Sequence, residues 1–208
     1  MKEAYSSGED YDYYHIVSAE DYWSCPPCDF EKRICAPFSY IRCNQLPRPG
    51  WYKGGYELIQ YKQLCAYGDI RKGLFGVINR LFKWFQIICH IRQALPDYPL
   101  FCGLVYSSLH KSAVHEIMHN PVADDFMSRL NNTLIPEEFY FQTVLMNSAV
   151  KDQIVSNALR YSDWSTVPGP KCLTIEDLDN VLNSEALFCR IVSDIKLAEA
   201  LDARLGLI

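Results

Sequence analysis

The run Ile135-Pro136-Glu137-Glu138-Phe139-Tyr140-Phe141-Gln142 combines a helix start, two carboxylates and an apolar continuation. Proline is tolerated in the first turn of a helix because its missing N–H would be unpaired there anyway. Carboxylates in that turn are favoured by the helix dipole and by the free N–H groups. The apolar continuation predicts a helix that enters the core and leaves Glu138 desolvated on one side. A carboxylate in such a position is typical of a general base. Simple capping by two acids is the alternative interpretation.

A second candidate for chemistry is His115-Glu116-Ile117-Met118-His119, which matches the H-E-x-x-H pattern. In a metallopeptidase two histidines one helical turn apart bind zinc and the glutamate activates water. Glu138 follows downstream as a candidate third ligand. Pro121 argues against this interpretation, because it ends the helix directly after His119 and leaves that residue in a fraying last turn. A zinc peptidase built on His115, His119 and Glu138 is therefore a rival prediction, and no metal is the preferred one.

Four of the nine cysteines cluster, at Cys25, Cys28, Cys35 and Cys43. Four clustered cysteines can hold structural zinc. The second pair is, however, separated by seven residues instead of the usual two to four. An odd cysteine count without an export signal also argues against a disulfide framework. We therefore expect reduced, partly buried thiols.

The totals indicate one folded domain of 208 residues, of which 49% are hydrophobic. The net charge of −5 and the lack of a long basic tract argue against a nucleic-acid partner. The sequence has no segment typical of a signal peptide or of a transmembrane helix. The predicted location is cytoplasmic, with peripheral contact to the inner face of the membrane as an option.

These residues must be positioned by strands and helices that alternate along the second half of the chain, which is typical of the α/β class. The patterns predict strands at residues 13–18, 38–42, 99–108, 158–161 and 186–192. They predict helices at 111–120, from Pro136, from Thr174 with Asp177 closing a capping box, and at 195–205. Residues 25–66, rich in cysteine, proline and tyrosine, are expected to form an irregular insertion within the domain.

Residues 71–94 give the clearest helical pattern, with one narrow polar stripe on an otherwise apolar cylinder. The segment carries five basic residues and no acidic one. A mostly buried helix whose polar side is exposed to solvent gives this pattern, and we favour that interpretation. A basic amphipathic helix that lies on an anionic membrane surface gives the same pattern and is the second interpretation.

Several segments resemble, in order, the core-2/I-branching β-1,6-N-acetylglucosaminyltransferases, a family that also holds the peptide O-xylosyltransferases. They are YDYYHIVSAEDY, ALPDYPLFCGLVYSSLHKSAVHEIM, IPEEFYFQTVLMNS, ALRYSDW and GPKCLTIEDLDNVLNSEALFCR. The bacterial members are the most similar. The resemblance implies a GT-A-like α/β fold with a mainly parallel or mixed sheet. It implies an enzyme that transfers N-acetylglucosamine or xylose from a UDP-sugar to a glycan hydroxyl, with inversion and without a metal cofactor.

The resemblance also assigns roles to residues. Glu138 matches the family's catalytic base, Lys171 falls in its HPK position and Asp21 in the loop that lines the sugar site. Arg190 is the remaining candidate for the donor diphosphate, because the lysine expected beside it is Ile191 here; strand alternation would point Arg190 to the opposite face. The candidates for the acceptor side are Glu20, Gly103, Tyr106, Glu137 and Trp164.

One departure concerns the donor half of the fold. Few residues precede the first matched strand, where the family places its uridine-binding half. The resemblance therefore implies that the donor half is missing and that the chain is a truncated or split protein, a degenerate remnant, or a fragment completed by another chain, and in each case we expect it to be inactive alone. The strand at 13–18 would then expose an apolar edge, which predicts self-association or poor solubility. A non-catalytic glycan-binding or partner subunit is the alternative function.

Overall fold

Helices and strands are mixed along the chain, but the alternation predicted for its second half is wrong, because three helices follow one another between residues 111 and 146 and one of them, which begins at Pro121, was not predicted. The computed structural model describes residues 1–70, 72–166 and 169–207. The strands are β1 (Tyr13–Ile16), β2 (Tyr22–Trp23), β3 (Ser39–Ile41), β4 (Asn44–Gln45), β5 (Phe101–Cys102), β6 (Ser107–His110), β7 (Ile154–Val155), β8 (Arg160–Tyr161) and β9 (Phe188–Cys189). The α-helices are α1 (Lys2–Tyr5), α2 (Phe30–Arg33), α3 (Glu57–Gln60), α4 (Gly73–Ile88), α5 (Lys111–His119), α6 (Pro121–Leu130), α7 (Glu137–Met146), α8 (Leu178–Leu182) and α9 (Ile195–Leu205). Short 3-10 turns lie at Pro27–Asp29, Tyr52–Gly55, Lys151–Gln153 and Ile175–Asp177.

The strands form small mixed sheets. The largest has the order β1-β6-β3-β7, in which β6 is antiparallel to both of its neighbours and β3 is parallel to β7. The second has the order β2-β9-β8, with one antiparallel and one parallel pair. Strands β4 and β5 form an antiparallel pair. Of the two sheet types expected, the mixed one is therefore observed among the described strands, and it is compatible with a glycosyltransferase-like fold.

The single strand predicted at 99–108 is wrong, because this segment forms β5 and β6 in two different sheets. The chain changes sheet at Gly103, whose backbone passes close to the segment that follows β3. A Cβ built on Gly103 would lie 1.8 Å from the carbonyl oxygen of Arg42. Only glycine permits that approach, so the glycine that looked like a strand residue marks the crossing point.

Helix α7 contributes side chains to two of the buried cores. Its residues Phe139, Val144 and Leu145 are fully buried. Leu145 packs in one core with β3, β6 and α5, whereas Phe139 packs in a second core with α3, β5 and α6. The prediction that this helix enters the core is therefore confirmed.

The helices of the C-terminal part agree with those predicted from the sequence. Thr174 and Asp177 form the predicted capping box, and α8 follows it. Helix α9 spans the predicted residues and buries Leu197 and Leu201 against Leu173 and Val181. Local signals suffice here because each end is fixed by residues next to it in sequence.

Helix α4 corrects the interpretation that we favoured, because its apolar side faces outward. Gly76, Asn79 and Gln86 are its buried residues, whereas Leu74 is 76% and Trp84 62% exposed. The polar stripe, and not the apolar surface, packs on the protein. Among the described residues, no helix has the length and apolarity needed to cross a membrane.

Candidate functional site

Glu138 lies in the first turn of α7, on the edge of a cleft. The helix begins after Pro136, and Glu137 and Glu138 are its first two residues. Glu137 is exposed and Glu138 half-buried. The N–H of Gly103 donates a hydrogen bond of 2.8 Å to the carbonyl oxygen of Glu138. The strand-to-strand crossing therefore holds the backbone that carries this carboxylate.

A second contact fixes α7 one turn further on. The hydroxyl of Thr143 accepts a hydrogen bond from the N–H of Phe101 and donates one to its carbonyl oxygen, both at 3.0 Å. The buried Gln142 donates from Nε2 to the carbonyl oxygen of Leu104 at 2.9 Å. Because these bonds join the helix to both sides of the crossing, Glu138 is mounted on a rigid support.

The cleft beside Glu138 has a volume of about 410 Å³. It is lined by basic, aromatic and backbone groups: Arg42, Asn44, Arg48, Trp51, Gly103, Leu104, Glu138 and Trp164. Three of the residues predicted from the sequence, Glu138, Gly103 and Trp164, therefore meet in one place. Arg42, Asn44, Arg48 and Trp51 were missed, because they belong to the segment expected to form an irregular insertion.

The cleft places one carboxylate, that of Glu138, near two guanidinium groups, those of Arg42 and Arg48. Burial raises the pKa of Glu138 above its ordinary value, the neighbouring Glu137 carboxylate raises it further, and Arg48 lowers it. The guanidinium of Arg48 stacks on the ring of Trp51 at 4.5 Å. A carboxylate with a raised pKa beside a fixed cation is suited to take a proton from a substrate hydroxyl near neutral pH.

A second cavity of about 360 Å³ adjoins the first. The two share Arg42 and Leu104, and the second one is also lined by Arg160 and Ser162. Burial lowers the pKa of Arg160 to about 10, and Asp21 and Arg190 modify that shift in opposite directions. Arg160 is thus still cationic at neutral pH, and the two cavities form a groove with positive charge along its length.

Four further predicted residues form a separate cluster around Arg190. Its guanidinium lies 3.8 Å above the ring of Tyr106, with Nη2 3.5 Å from Glu20 Oε2 and Nε 3.7 Å from Asp21 Oδ1. The second oxygen of Asp21 accepts a 2.6 Å hydrogen bond from the N–H of Ser18. Arg190 Nε and Asp21 Oδ1 are buried and make no hydrogen bond within the described part of the chain. Arg190, Asp21, Glu20 and Tyr106 are therefore brought together, with Arg190 held between two carboxylates.

Lys171 is placed elsewhere. Its Nζ donates to both oxygens of Asp177, at 2.8 and 3.0 Å, and it is not among the described residues that line the Glu138 cleft. Asp177 also accepts the capping hydrogen bond from the N–H of Thr174 at 2.9 Å. In this arrangement Lys171 stabilises the start of the C-terminal helices. Its contact with the phosphates of the donor stays a prediction.

The histidines of the rival zinc site have no third ligand near them among the residues that the structure describes. The rings of His115 and His119 lie 4.5 Å apart, and His119 Nε2 is 3.4 Å from the Tyr5 hydroxyl. Glu116 accepts a hydrogen bond from the side chain of Asn120. Glu138 lines a cleft that contains neither histidine. Among the described residues no three histidine, cysteine, aspartate or glutamate side chains come together as a metal site.

The clustered cysteines are free thiols in different surroundings. Cys25 is buried, Cys28 and Cys35 are exposed, and Cys43 is half-buried. Burial raises the pKa of Cys43 to about 12, so it is a protonated thiol at neutral pH. The expected burial therefore holds for Cys25 and Cys43 but not for Cys28 and Cys35, and the reduced state of the four thiols stays a prediction.

Comparison with known proteins bears on the family resemblance. The family model of the Core-2/I-Branching enzyme matches residues 83–183, a segment that includes Gly103, Glu138, Trp164 and Lys171. The resemblance is therefore confirmed over this segment. A search of curated proteins finds no match to the chain.

Proposed function

We propose that this chain, a partial member of the Core-2/I-branching enzyme family, is a glycosyltransferase in which Glu138 is the general base. The family match supports glycosyltransferase activity. The identity of the base rests on one observation, the half-buried Glu138 carboxylate in a cleft that also holds Arg42, Arg48 and two tryptophans. We also propose that the fold is GT-A-like, that the donor is a UDP-sugar and that the transfer inverts the anomeric configuration.

The proposed reaction is a single displacement. Glu138 takes the proton of an acceptor hydroxyl while the oxygen of that hydroxyl attacks the anomeric carbon of the donor sugar. The bond between that carbon and the phosphate oxygen breaks, and UDP leaves with the electron pair. Because attack and departure occur on opposite faces, the anomeric configuration inverts. One carboxylate is sufficient for this chemistry.

The leaving diphosphate needs positive charge that is already in position. In our proposal Arg42 and Arg48 supply it, and no metal is needed. Arg42 is exposed and Arg48 half-buried, and both line the same cleft as the base. Lys171 and Arg190 remain candidates, but a phosphate would have to displace Asp177 from Lys171 or Glu20 from Arg190. We therefore assign the first role to the two arginines of the cleft.

The tryptophans of the cleft fit the sugar rings. Trp164 is 54% exposed, and Trp51 is half-buried under Arg48. The flat apolar faces of such rings pack against the C–H faces of sugars, while Asn44 can bond a hydroxyl. Glu137, which is exposed beside the base, lies outside the residues that line the cleft and provides a matched control.

The experiment measures UDP release from UDP-N-acetylglucosamine and from UDP-xylose, with and without oligosaccharide acceptors and in the presence of EDTA. We expect acceptor-stimulated release by the wild-type chain that EDTA leaves unchanged. Glu138→Gln should lower the rate by about 10²–10⁴-fold, whereas Glu137→Gln should change it little. A wild-type chain without acceptor-stimulated release, or equal losses in both variants, would contradict the proposal.

A non-catalytic glycan-binding subunit is the second candidate. The two tryptophans in an open cleft favour it, and so does the internal pairing of Arg190 with Glu20 and Asp21. It predicts saturable oligosaccharide binding that Trp164→Ala weakens, together with no UDP release from either donor.

A further inference from the structure

Helix α4 is attached to the protein by its polar stripe. Asn79 Oδ1 accepts a hydrogen bond from the N–H of Leu64 at 2.8 Å, and its Nδ2 donates to Gln63 Oε1 at 2.7 Å. Gln86 accepts from the N–H of Lys62 at 3.0 Å and donates to its carbonyl oxygen at 2.9 Å. Both amides are buried and bonded to the chain just after α3. These bonds fix the rotation of the helix about its own axis, because turning it would leave buried polar groups unpaired.

The fixed rotation turns the apolar side of α4 outward. The exposed apolar residues of the helix span an arc of roughly 120° plus one flanking position. They are Leu74, Val77, Ile78, Leu81, Trp84, Phe85, Ile87 and Ile88, and we call them the α4 face. From their exposed fractions the α4 face amounts to on the order of 700 Å², above the largest apolar patch of a typical soluble monomer. A surface of this size indicates a binding partner.

The charge around the α4 face indicates which partner. Lys72, Arg80 and Arg92 are exposed, and Lys83 pairs with Glu57 at 3.4 Å. The sequence has no acidic residue between Asp69 and Asp97, although the whole chain carries a net charge of −5. By helical spacing Arg80 lies at the edge of the α4 face, whereas Lys72 and Arg92 lie at or beyond the two ends of α4. Positive charge is thus concentrated in this segment of an otherwise acidic protein. This arrangement is complementary to a layer of anionic groups above an apolar layer.

A second copy of the chain fits the α4 face less well. Two-fold pairing of this face would bring the same basic residues of both copies towards each other, and like charges across an interface are unfavourable. On an anionic bilayer, in contrast, long basic side chains reach the headgroups while their stems lie along the apolar surface. Trp84 adds the aromatic ring that is enriched at membrane–water interfaces.

We propose that the α4 face docks in the plane of a membrane surface that is rich in anionic lipid, with α4 lying parallel to the bilayer. The binding site consists of the α4 face, and Lys72, Arg80 and Arg92 contact the headgroups. None of these residues lines the Glu138 cleft, so docking through the α4 face does not depend on the glycosyltransferase activity.

The test is co-sedimentation of the full chain with vesicles of phosphatidylcholine alone and of an equal mixture with phosphatidylglycerol. We expect binding to the anionic vesicles that 0.5 M NaCl weakens. Leu81→Gln combined with Trp84→Gln should lower the partition coefficient about 100-fold, because two exposed apolar anchors are removed. Lys72→Glu combined with Arg80→Glu should abolish the preference for anionic vesicles.

Ile195→Gln is the matched control, because Ile195 is 72% exposed on α9 and belongs to another surface. It should bind vesicles like the wild type, and urea unfolding should show that every variant is folded. No binding to anionic vesicles, or an equal loss in the Ile195→Gln variant, would overturn the proposal. A dimer in analytical ultracentrifugation that the Leu81/Trp84 variant abolishes, without vesicle binding, would make the α4 face a homodimer interface instead.

Discussion

Replacing Gly103 with alanine tests whether the strand crossing builds the cleft. The added Cβ would lie 1.8 Å from the carbonyl oxygen of Arg42 and 2.9 Å from its carbonyl carbon. Both contacts are with backbone atoms of Arg42, so a change of side-chain rotamer cannot relieve the clash. The φ angle of Gly103 is outside the left-handed region. The expected effect is therefore steric, and it acts on Arg42 at the point where that residue enters the cleft.

The magnitude follows from the size of the clash. The backbone after β3 has to move by more than 1 Å to restore an ordinary contact, and the hydrogen bond from Gly103 to Glu138 moves with it. Overpacking of this kind costs about 3 kcal/mol in the free energy of unfolding, the upper end of the usual range. With a urea m-value of about 2–3 kcal/mol/M for a chain of this length, the unfolding midpoint should fall by roughly 1 M.

The assay is urea unfolding followed by circular dichroism, with Gly169→Ala as the control. A Cβ on Gly169 meets no atom of the described residues within 4 Å, and that residue also lacks a left-handed φ. Its unfolding midpoint should therefore stay close to that of the wild type. A Gly103→Ala variant with the wild-type midpoint would refute the close approach, and with it the account of how Glu138 is held.

Three further predictions use the same unfolding assay. Gln86→Leu should lower the free energy of unfolding by about 2 kcal/mol, because it leaves the N–H and carbonyl groups of Lys62 unpaired; an unchanged midpoint would contradict the inward polar stripe. Asp177→Ala should cost about 2 kcal/mol, since it removes a helix cap and leaves Lys171 without its partner, whereas Lys171→Met should cost less. Glu138→Gln should be more stable than the wild type at pH 7, because the raised pKa of Glu138 means that the fold favours the neutral carboxyl and loses stability as the pH rises above the unfolded value. That difference should shrink below about pH 4, and a Glu138→Gln variant less stable than the wild type at pH 7 would contradict the burial.

Local signals predicted the part of the site that lies on α7. Proline, two acids and an apolar run fix the start of a helix and its burial through residues that are adjacent in sequence. The capping box at Thr174 and the bounds of α9 were predictable for the same reason. Glu138 could therefore be singled out as a candidate base before any fold was known.

The other side of the cleft could not be predicted in this way. Arg42, Arg48 and Trp51 lie in a segment without hydrophobic periodicity, and they reach Glu138 only through the pairing of β3 with β6 and of β4 with β5. Such long-range pairing has no local signature. The sequence did offer one signal: this proline-rich segment carries two arginines and a tryptophan within ten residues. These residues indicate a contact with an anion or a sugar only once the cleft is known.

Helix α4 shows the limit of a hydrophobic pattern. The period of the pattern predicted a helix correctly, but its apolar side was assumed to face the core. The orientation depends instead on Asn79 and Gln86, whose amides bond to the segment of residues 62–64. A backbone segment that needs hydrogen-bond partners can therefore outweigh the apolar face in setting which side of a helix is buried.

Glu138→Gln and Glu137→Gln, compared in one assay, decide whether Glu138 is the general base. The two carboxylates are adjacent in the same helical turn, but only Glu138 lines the cleft. The measurement is the rate of acceptor-stimulated UDP release at neutral pH for both variants and the wild type. Our account predicts a loss of about 10²–10⁴-fold for Glu138→Gln and a near wild-type rate for Glu137→Gln. A Glu138→Gln variant that retains the wild-type rate would contradict it.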